Sequence, residues 1–252
     1  MRAYILCGGR GVRLDYLSDV MPKALVKIGN KPILHHLIEI YLKNEICEFV
    51  LCLGYKKKLI ISYFKSLKHK ILTKKKDHLS LEIFLNKKKI IIHFVNTKLY
   101  SGTAGRINIA AKKLKQKDDF LMTYCDGLAN INIKKLIRFH KINKKIVTVT
   151  SVRPRHTLGI LKLFKNKVVK SFENGNPYQE DNINGGFFVI NPKGLSYIKN
   201  NYEFWESEPM QRLIKKKKIV AYQHNGFWKS LDTRKDQELF NTWIKKKKIL
   251  WI

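Results

Sequence analysis

The most informative segment of the sequence is Tyr4-Ile5-Leu6-Cys7-Gly8-Gly9-Arg10-Gly11-Val12-Arg13-Leu14. It joins a short apolar run, typical of a buried strand, to a loop that contains three glycines. Glycines allow backbone N–H groups to approach a ligand closely. Arg10, Arg13 and the nearby Lys23 add positive charge around this loop. The stretch therefore predicts a phosphate-binding loop at the end of the first strand.

The glycine spacing matches neither of the two common phosphate-binding loops. Leu14 stands where a dinucleotide-binding loop requires glycine, and no Gly-Lys-Ser or Gly-Lys-Thr closes a Walker-type loop. Taken alone, the loop fits a plain tight turn equally well. The choice between a phosphate-binding loop and a plain turn therefore depends on the rest of the sequence.

The composition is strongly basic, with 51 Lys and Arg residues against 19 Asp and Glu residues in 252, a formal charge of +32. Such a charge suggests nucleic-acid or membrane-surface binding. The lysine runs, however, are spread over many segments and lack interleaved aromatic residues. We therefore expect a solvated surface and no nucleic-acid partner. The runs are at 56–58, 74–76, 87–89, 215–218 and 245–248.

The four cysteines, Cys7, Cys47, Cys52 and Cys125, form no CxxC pair and have no metal-ligand spacing. They are predicted to be reduced thiols in or near strands. The apolar run before Gly8 is too short for a signal peptide, and no later run is long enough to span a membrane. We expect a cytoplasmic protein without a membrane partner.

Short apolar runs alternate with segments of helical period along the chain. This alternation predicts an α/β fold, a Rossmann-like and mostly parallel sheet flanked by helices. Strands dominate after residue 146, which predicts a smaller, more antiparallel lobe that shares the sheet within one domain, 1–252. Strands are predicted at 2–6, 48–53, 90–95, 120–124, 146–152, 158–164, 168–172, 185–190 and 219–222. Helices are predicted at 32–44, 57–66, 103–115, 206–217 and 234–247 and after 192. The lysine-rich residues 67–89 are predicted to form an excursion or a small hairpin outside the core sheet.

Two carboxylates, Asp126 and Asp232, each end a strand-like segment beside a turn. Two oxygen ligands suit Mg²⁺ when it also holds phosphates and waters. Each aspartate has a simpler explanation, because Asp126 suits a turn and Asp232 suits a helix cap. Together with the glycine loop, its cations and a helix start at Thr103, the pair predicts a metal-assisted nucleotide site.

Further short motifs follow the glycine loop in a fixed order along nearly the whole chain. They are Pro22-Lys23, Gly29-Asn30-Lys31-Pro32-Ile33-Leu34, Cys52-Leu53-Gly54-Tyr55-Lys56, Thr103-Ala104-Gly105-Arg106, Tyr124-Cys125-Asp126-Gly127, Ile183-Asn184-Gly185-Gly186-Phe187-Phe188, Trp205-Glu206-Ser207-Glu208-Pro209 and Gly226-Phe227-Trp228 through Asp232-Thr233. In this order the chain resembles the sugar-nucleotidyltransferases, most closely their glucose-1-phosphate cytidylyltransferase branch.

The resemblance implies transfer of a nucleoside monophosphate from CTP to a sugar-1-phosphate, with Mg²⁺ as cofactor and pyrophosphate as the second product. It also implies a nucleotide-binding part at 1–145, an acceptor-binding part with a closing helix at 146–252, and assembly into a homo-oligomer. The product would be a CDP-sugar for polysaccharide synthesis.

The resemblance also implies a set of site residues. They are Arg13, Lys23 and Asp126 for catalysis, Leu6, Gly8, Gly9, Gly11, Val12, Thr103, Gly105 and Arg106 for the nucleotide, Gly127, Gly159, Asn184, Gly185, Glu206 and Trp228 for the acceptor, and Asp126 and Asp232 for the metal. Several have structural alternatives: Arg106 as an exposed cation in a first helical turn, Glu206 as a helix start and Trp228 as a core residue.

Four positions depart from the family pattern. Val12 replaces a threonine, Cys125 replaces a glycine, Thr157-Leu158-Gly159 replaces an Arg-Phe turn, and Asn174-Gly175-Asn176 stands where Glu-Lys-Pro is usual. The last change removes a lysine that the family places near the acceptor phosphate, and Arg155 or His156 is a candidate to replace its charge. Three of these changes concern phosphate or acceptor recognition. They leave open UTP, a non-sugar phosphate or phosphonate acceptor, or a weakly catalytic nucleotide-binding relative.

Overall fold

The structure is a computed structural model that describes residues 1–10, 20–153, 160–163, 169–173 and 182–251. Within these ranges the strands form one nine-stranded sheet and three two-stranded sheets. The strands are β1 (Arg2–Cys7), β2 (Lys27–Ile28), β3 (Lys31–Pro32), β4 (Glu48–Leu53), β5 (His69–Lys75), β6 (His78–Leu85), β7 (Lys88–Asn96), β8 (Phe120–Tyr124), β9 (Gly127–Ala129), β10 (Val147–Val152), β11 (Ile160–Leu163), β12 (Val169–Glu173), β13 (Ile183–Ile190), β14 (Ile219–His224) and β15 (Trp228–Ser230).

The large sheet has the order β14-β10-β13-β8-β1-β4-β7-β6-β5. Strand β1 is parallel to both of its neighbours, β4 and β8, and β4 is parallel to β7. Among the nine described strands of this sheet, only β6 and β13 run against the others, because each pairs antiparallel on both sides. The predicted mostly parallel sheet is confirmed. The carboxyl ends of β1 and β8 lie side by side, where open α/β sheets bind ligands.

Six α-helices in the described part of the chain pack on the two faces of this sheet. They are α1 (Ile33–Lys43), α2 (Lys57–Lys65), α3 (Thr103–Lys113), α4 (Ile133–Asn143), α5 (Glu208–Lys215) and α6 (Arg234–Lys245). Short 3₁₀ helices cover Lys23–Leu25 and Pro192–Tyr197, so the helix predicted after Pro192 is of this tighter type. No helix in the described ranges is long and apolar enough to cross a membrane.

Strand β1 is buried on both faces, which explains its uninterrupted apolar sequence. Ala3 and Ile5 belong to the core under α1 and α2. Tyr4 and Leu6 belong to a second core, which α3 covers from the other side. Since the strand is fixed on both faces, the loop that follows it starts from a rigid position.

The predicted location of the hairpin within 67–89 is wrong. Strands β5 and β6 do form a hairpin, but β6 pairs with β7 and extends the main sheet to its edge. Leu81, Ile83 and Leu85 alternate inward and are buried. Exposed lysines at 74–76 and 87–89 flank this alternating segment. They hide the two-residue period in the sequence around it.

Helix α4 has no counterpart among the predicted elements. Its amino terminus is capped by Asn132, whose side-chain oxygen accepts a hydrogen bond from the Lys135 N–H at 2.9 Å. Ile133, Leu136 and His140 form its buried face. The 3.6-residue period of these positions and the Asn132 cap were present in the sequence and identify the helix.

Candidate active site

Lys23 lies between the two predicted metal-binding carboxylates. Its Nζ is 2.8 Å from Asp126 Oδ2 and 2.9 Å from Asp232 Oδ1. Burial lowers the pKa of Lys23, but the two carboxylates outweigh that effect and the pKa is raised overall. The ammonium is therefore charged at neutral pH. The structure thus brings together three predicted site residues that are distant in sequence.

A small strand pair brings the two aspartates together. Strands β9 and β15 are antiparallel, with Gly127 opposite Ser230. One further backbone hydrogen bond extends this pairing: the Leu231 N–H donates to the Asp126 carbonyl oxygen at 2.8 Å. Asp126 and Asp232 thus lie at the same end of one short ladder, beside the carboxyl end of β8.

Ser230 is a site residue that the sequence analysis missed. Its hydroxyl donates to Asp232 Oδ2 at 2.6 Å, while Lys23 occupies the other oxygen of that carboxylate. Ser230 precedes Asp232 by two residues, a spacing that places both on one face of an extended strand. That spacing was the available signal.

The two carboxylates fit a magnesium site of the kind that is completed by phosphates and waters. Their side chains are 31% and 27% exposed, so both carboxylates are partly accessible. Among the described residues no group of three or more His, Cys, Asp or Glu side chains could hold a metal by itself. A cation here would need ligands from a substrate, which suits Mg²⁺ better than a structural metal.

The loop after β1 is closely packed at Gly8 and open at Gly9. The Gly8 carbonyl accepts from the Tyr55 N–H at 3.1 Å, and a Cβ at Gly8 would collide with the Arg106 guanidinium. A Cβ at Gly9 would meet nothing within 4 Å. Gly8 therefore anchors the loop, and Gly9 leaves space above it.

Arg106 lies beneath this loop and is 5% exposed. Its guanidinium donates to Thr97 Oγ1 at 2.9 Å and to the carbonyls of Lys98 at 2.9 Å and Leu99 at 3.0 Å. The alternative of an exposed cation in the first turn of α3 is wrong. Arg106 supports the backbone around the predicted nucleotide loop.

The start of α3 is joined to the segment before α5. Thr103 Oγ1 donates to Glu206 Oε2 at 2.7 Å and accepts from the Trp205 N–H at 2.7 Å. A Cβ at Gly105 would collide with the backbone of Asn201, so glycine permits this close approach. The alternative of Glu206 as a helix start is wrong, because α5 begins at Glu208.

The predicted acceptor residues Gly127, Gly185 and Trp228 lie together. The Trp228 indole N–H donates to the Gly185 carbonyl at 2.7 Å, and a Cβ at Gly127 would lie 3.8 Å from the same nitrogen. Asn184 Oδ1 accepts from the Gly186 N–H at 2.9 Å and stabilises a turn in which Gly186 has φ +80°. Trp228 is half-buried and packs against the main core as well as bordering the site.

Tyr124 is a second missed residue. Its ring lies 6.0 Å from that of Phe188 in an edge-to-face contact, and its hydroxyl is buried. Burial, followed by the charge of Glu206, raises the pKa of this hydroxyl. It precedes Asp126 by two residues and faces the predicted acceptor region.

Not every predicted site residue lies in the described part of the chain. Gly11, Val12, Arg13 and Gly159 lie outside the described residues, as do the departures at 174–176. Leu6 is 6% exposed within β1. Their assigned roles stay predictions.

Comparison with known proteins gives a consistent result over nearly the whole chain. A family model described as nucleotidyl transferase matches residues 2–236. Glucose-1-phosphate cytidylyltransferase of Salmonella typhimurium is 36% identical over 256 residues, covering 100% of this chain and 98% of that protein. A probable glucose-1-phosphate cytidylyltransferase of Bacillus subtilis is 38% identical over 239 residues, covering 94% and 93%.

Two solved structures share the fold. HddC from Yersinia pseudotuberculosis, complexed with GMP-PN, has a TM-score of 0.70 at 20% identity and covers 96% of this chain and 99% of its own. A UDP-glucose pyrophosphorylase complexed with UDP-glucose has a TM-score of 0.68 at 15% identity, with 98% of each chain covered. The fold class is confirmed by these likenesses, and the family model with the curated relatives confirms the resemblance: the chain is an enzyme of the nucleotidyl transferase family.

Proposed function

We propose that this enzyme transfers a cytidylyl group from CTP to a sugar-1-phosphate, with glucose-1-phosphate as the first candidate acceptor. The products are a CDP-sugar and pyrophosphate. The observation that carries the proposal is the placement of Lys23 between Asp126 and Asp232 at the carboxyl edge of the sheet. The names of the relatives at 36% and 38% identity support the choice of CTP and glucose-1-phosphate.

In the proposed reaction an oxygen of the acceptor phosphate attacks the α-phosphorus of CTP. A new P–O bond forms while the bond from the α-phosphorus to the departing pyrophosphate breaks in line with it. Such a transfer depends on positioning and on neutralising charge. Lys23, which is charged and only 11% exposed, neutralises phosphate oxygens. The N–H groups at Gly8 and Gly9 and the side chain of Arg13 are proposed to hold the triphosphate.

Asp126 and Asp232 are proposed to hold Mg²⁺. When bound, this ion supplies Lewis-acid activation of phosphate oxygens and a template for the two substrates. Ser230 keeps Asp232 oriented through its 2.6 Å hydrogen bond. Lys23 limits the repulsion between the two carboxylates, because it is paired with both.

The sugar is proposed to lie against Trp228, between Gly127 and Gly185. Asn184 and Glu206 then provide polar groups for sugar hydroxyls. The expected cytoplasmic location, the homo-oligomer and the role in polysaccharide synthesis stay predictions.

The test is a matrix of the four common nucleoside triphosphates against phosphorylated acceptors, with Mg²⁺ present and pyrophosphate release as the readout. We expect the highest kcat/KM for CTP with glucose-1-phosphate. Preference for UTP or for a phosphonate acceptor would contradict the proposed specificity but keep the chemistry. Binding of CTP without turnover for any acceptor would support a catalytically weak relative and overturn the proposal.

A further inference from the structure

Two cysteines face each other beside the candidate active site. Strands β1 and β8 are parallel, with Leu6 opposite Tyr124. Cys7 directly follows Leu6, and Cys125 directly follows Tyr124. Directly opposed residues on neighbouring strands have Cα atoms about 4.8 Å apart, and their side chains point to the same face.

The packing places the two thiols in contact. Cys7 is 2% exposed and belongs to the core under α1, and Cys125 is partly exposed and packs against that same core. Burial, followed by interaction with the Cys125 side chain, raises the pKa of the Cys7 thiol. All four cysteines are free. The pair thus consists of a buried thiol, that of Cys7, next to a partly solvent-accessible thiol, that of Cys125.

We propose that Cys7 and Cys125 are a redox modification site, oxidised to a reversible disulfide by peroxides. A Cα separation of about 4.8 Å lies within the 4.4–6.8 Å that disulfides span, roughly. Cys47, by contrast, lies at the amino end of β4, away from the glycine loop. No other pair of cysteines stands opposite in the described strand registers.

The oxidation proceeds in two steps with a peroxide as oxidant. The more exposed sulfur, that of Cys125, attacks hydrogen peroxide, which breaks the O–O bond, releases water and leaves a sulfenic acid. The Cys7 sulfur then attacks this sulfenic sulfur, forming the S–S bond and releasing a second water. Both sulfurs are oxidised and one peroxide is reduced. A dithiol reductant reverses the reaction by thiol–disulfide exchange.

The disulfide acts on two parts of the candidate site at once. Cys7 precedes Gly8 of the glycine loop, and Cys125 precedes Asp126. Disulfides favour Cα separations of about 5.5–6 Å, so closing the bond spreads the two strand ends by roughly 1 Å. This moves Asp126 relative to Lys23, and a misplacement of about 1 Å can cost about a hundredfold in rate. The effect on turnover rests on the proposed function, whereas the cross-link does not.

The test uses the full chain with Cys47→Ser, which removes the other partly exposed thiol and leaves the pair intact. After treatment with hydrogen peroxide, trypsin digestion without reductant should give peptide 3–10 joined to peptide 118–134, with the loss of two hydrogen masses. Turnover should fall at least about tenfold and return with dithiothreitol. Adding Cys7→Ala or Cys125→Ala should abolish both the joined peptide and the reversible loss.

Two results would overturn the proposal. One is the absence of the joined peptide at peroxide doses that oxidise Cys47 in the unmodified chain. The other, full turnover in protein that mass spectrometry shows to be completely cross-linked, would overturn the part of the proposal that links the disulfide to the candidate site. If the protein has no turnover at all, the proposed function fails and the joined peptide alone decides whether the modification site exists.

Discussion

Lys23 Nζ lies 2.8 Å from Asp126 Oδ2 although 103 residues separate them. The contact joins the 3₁₀ turn after the glycine loop to the carboxyl end of β8. A second carboxylate, that of Asp232, contacts the same ammonium, so the two aspartates share one positive charge. This arrangement leads to the first prediction.

Replacing Lys23 with methionine should lower kcat for pyrophosphate release by about 10²–10³-fold, because one preorganised charge at the reacting phosphates is lost. Initial rates at saturating substrates measure the effect. Lys27→Met is the matched control, since Lys27 is exposed on β2 and should keep full activity. A loss of less than about tenfold at Lys23 would contradict its catalytic role.

Ser230→Ala should weaken magnesium use without removing a ligand. The 2.6 Å bond to Asp232 orients the carboxylate, and loss of such a supporting partner typically costs about 10–100-fold in metal affinity. The Mg²⁺ concentration for half-maximal rate should rise accordingly. Ser196→Ala, which removes only an exposed bond to the Lys193 carbonyl, is the control. Identical Mg²⁺ curves for both variants would exclude the orienting role.

Arg106→Lys should destabilise the fold, because lysine cannot make the three hydrogen bonds that reach Thr97, Lys98 and Leu99. The free energy of unfolding should fall by about 2–4 kcal/mol, as measured by urea titration. The KM for the nucleotide should rise as well, since Gly8 rests on this guanidinium.

The control for Arg106 is Arg138→Lys, an exposed position on α4 where stability should stay within about 0.5 kcal/mol. A stable Arg106→Lys protein with a raised KM would instead indicate direct nucleotide contact. That result would favour the nucleotide-binding role that the resemblance implies over a purely supporting role.

Stability should decline as the pH falls below about 6.5, the ordinary histidine pKa. Ser80 Oγ lies 2.8 Å from His78 Nε2 and 2.7 Å from His93 Nδ1, and His93 Nε2 lies 3.0 Å from Glu48 Oε1. Burial lowers the pKa of both histidines. The folded protein therefore binds fewer protons than the unfolded chain in this range, so stability is lost as the pH falls.

Urea unfolding at pH values from 8 to 5, roughly, measures this decline. The double variant His78→Gln and His93→Gln should show a shallower pH dependence than the unmodified chain. His69→Gln, at an exposed site on β5, is the control and should leave the slope unchanged. An unaltered slope in the double variant would contradict a role for this network.

The strands and helices around the site were predictable because local patterns determine them. Strand β1 is a continuous apolar run, and α1 has an apolar face with Pro32 just before its first residue. The hairpin of β5 and β6 was misplaced because pairing with β7 depends on contacts that are distant in sequence. Local periodicity does not show which strands pair with each other in the sheet.

The candidate site was predictable as a set of residues but not as a geometry. Asp126 and Asp232 stood out as turn carboxylates, yet their shared contact with Lys23 depends on the β9–β15 ladder, whose strands are three residues long. The buried position of Arg106 could not be predicted for a similar reason. Its burial follows from the close approach of Gly8 and Gly54, which only the folded chain reveals.

The most direct test of the central claim is pyrophosphate release from CTP and glucose-1-phosphate with Mg²⁺, compared between the unmodified enzyme and the Asp126→Asn and Asp232→Asn variants. We predict that release requires both substrates and Mg²⁺, and that each variant loses at least about a hundredfold in kcat. Turnover in either variant close to that of the unmodified enzyme would contradict the assignment of Asp126 and Asp232 to the site of nucleotidyl transfer.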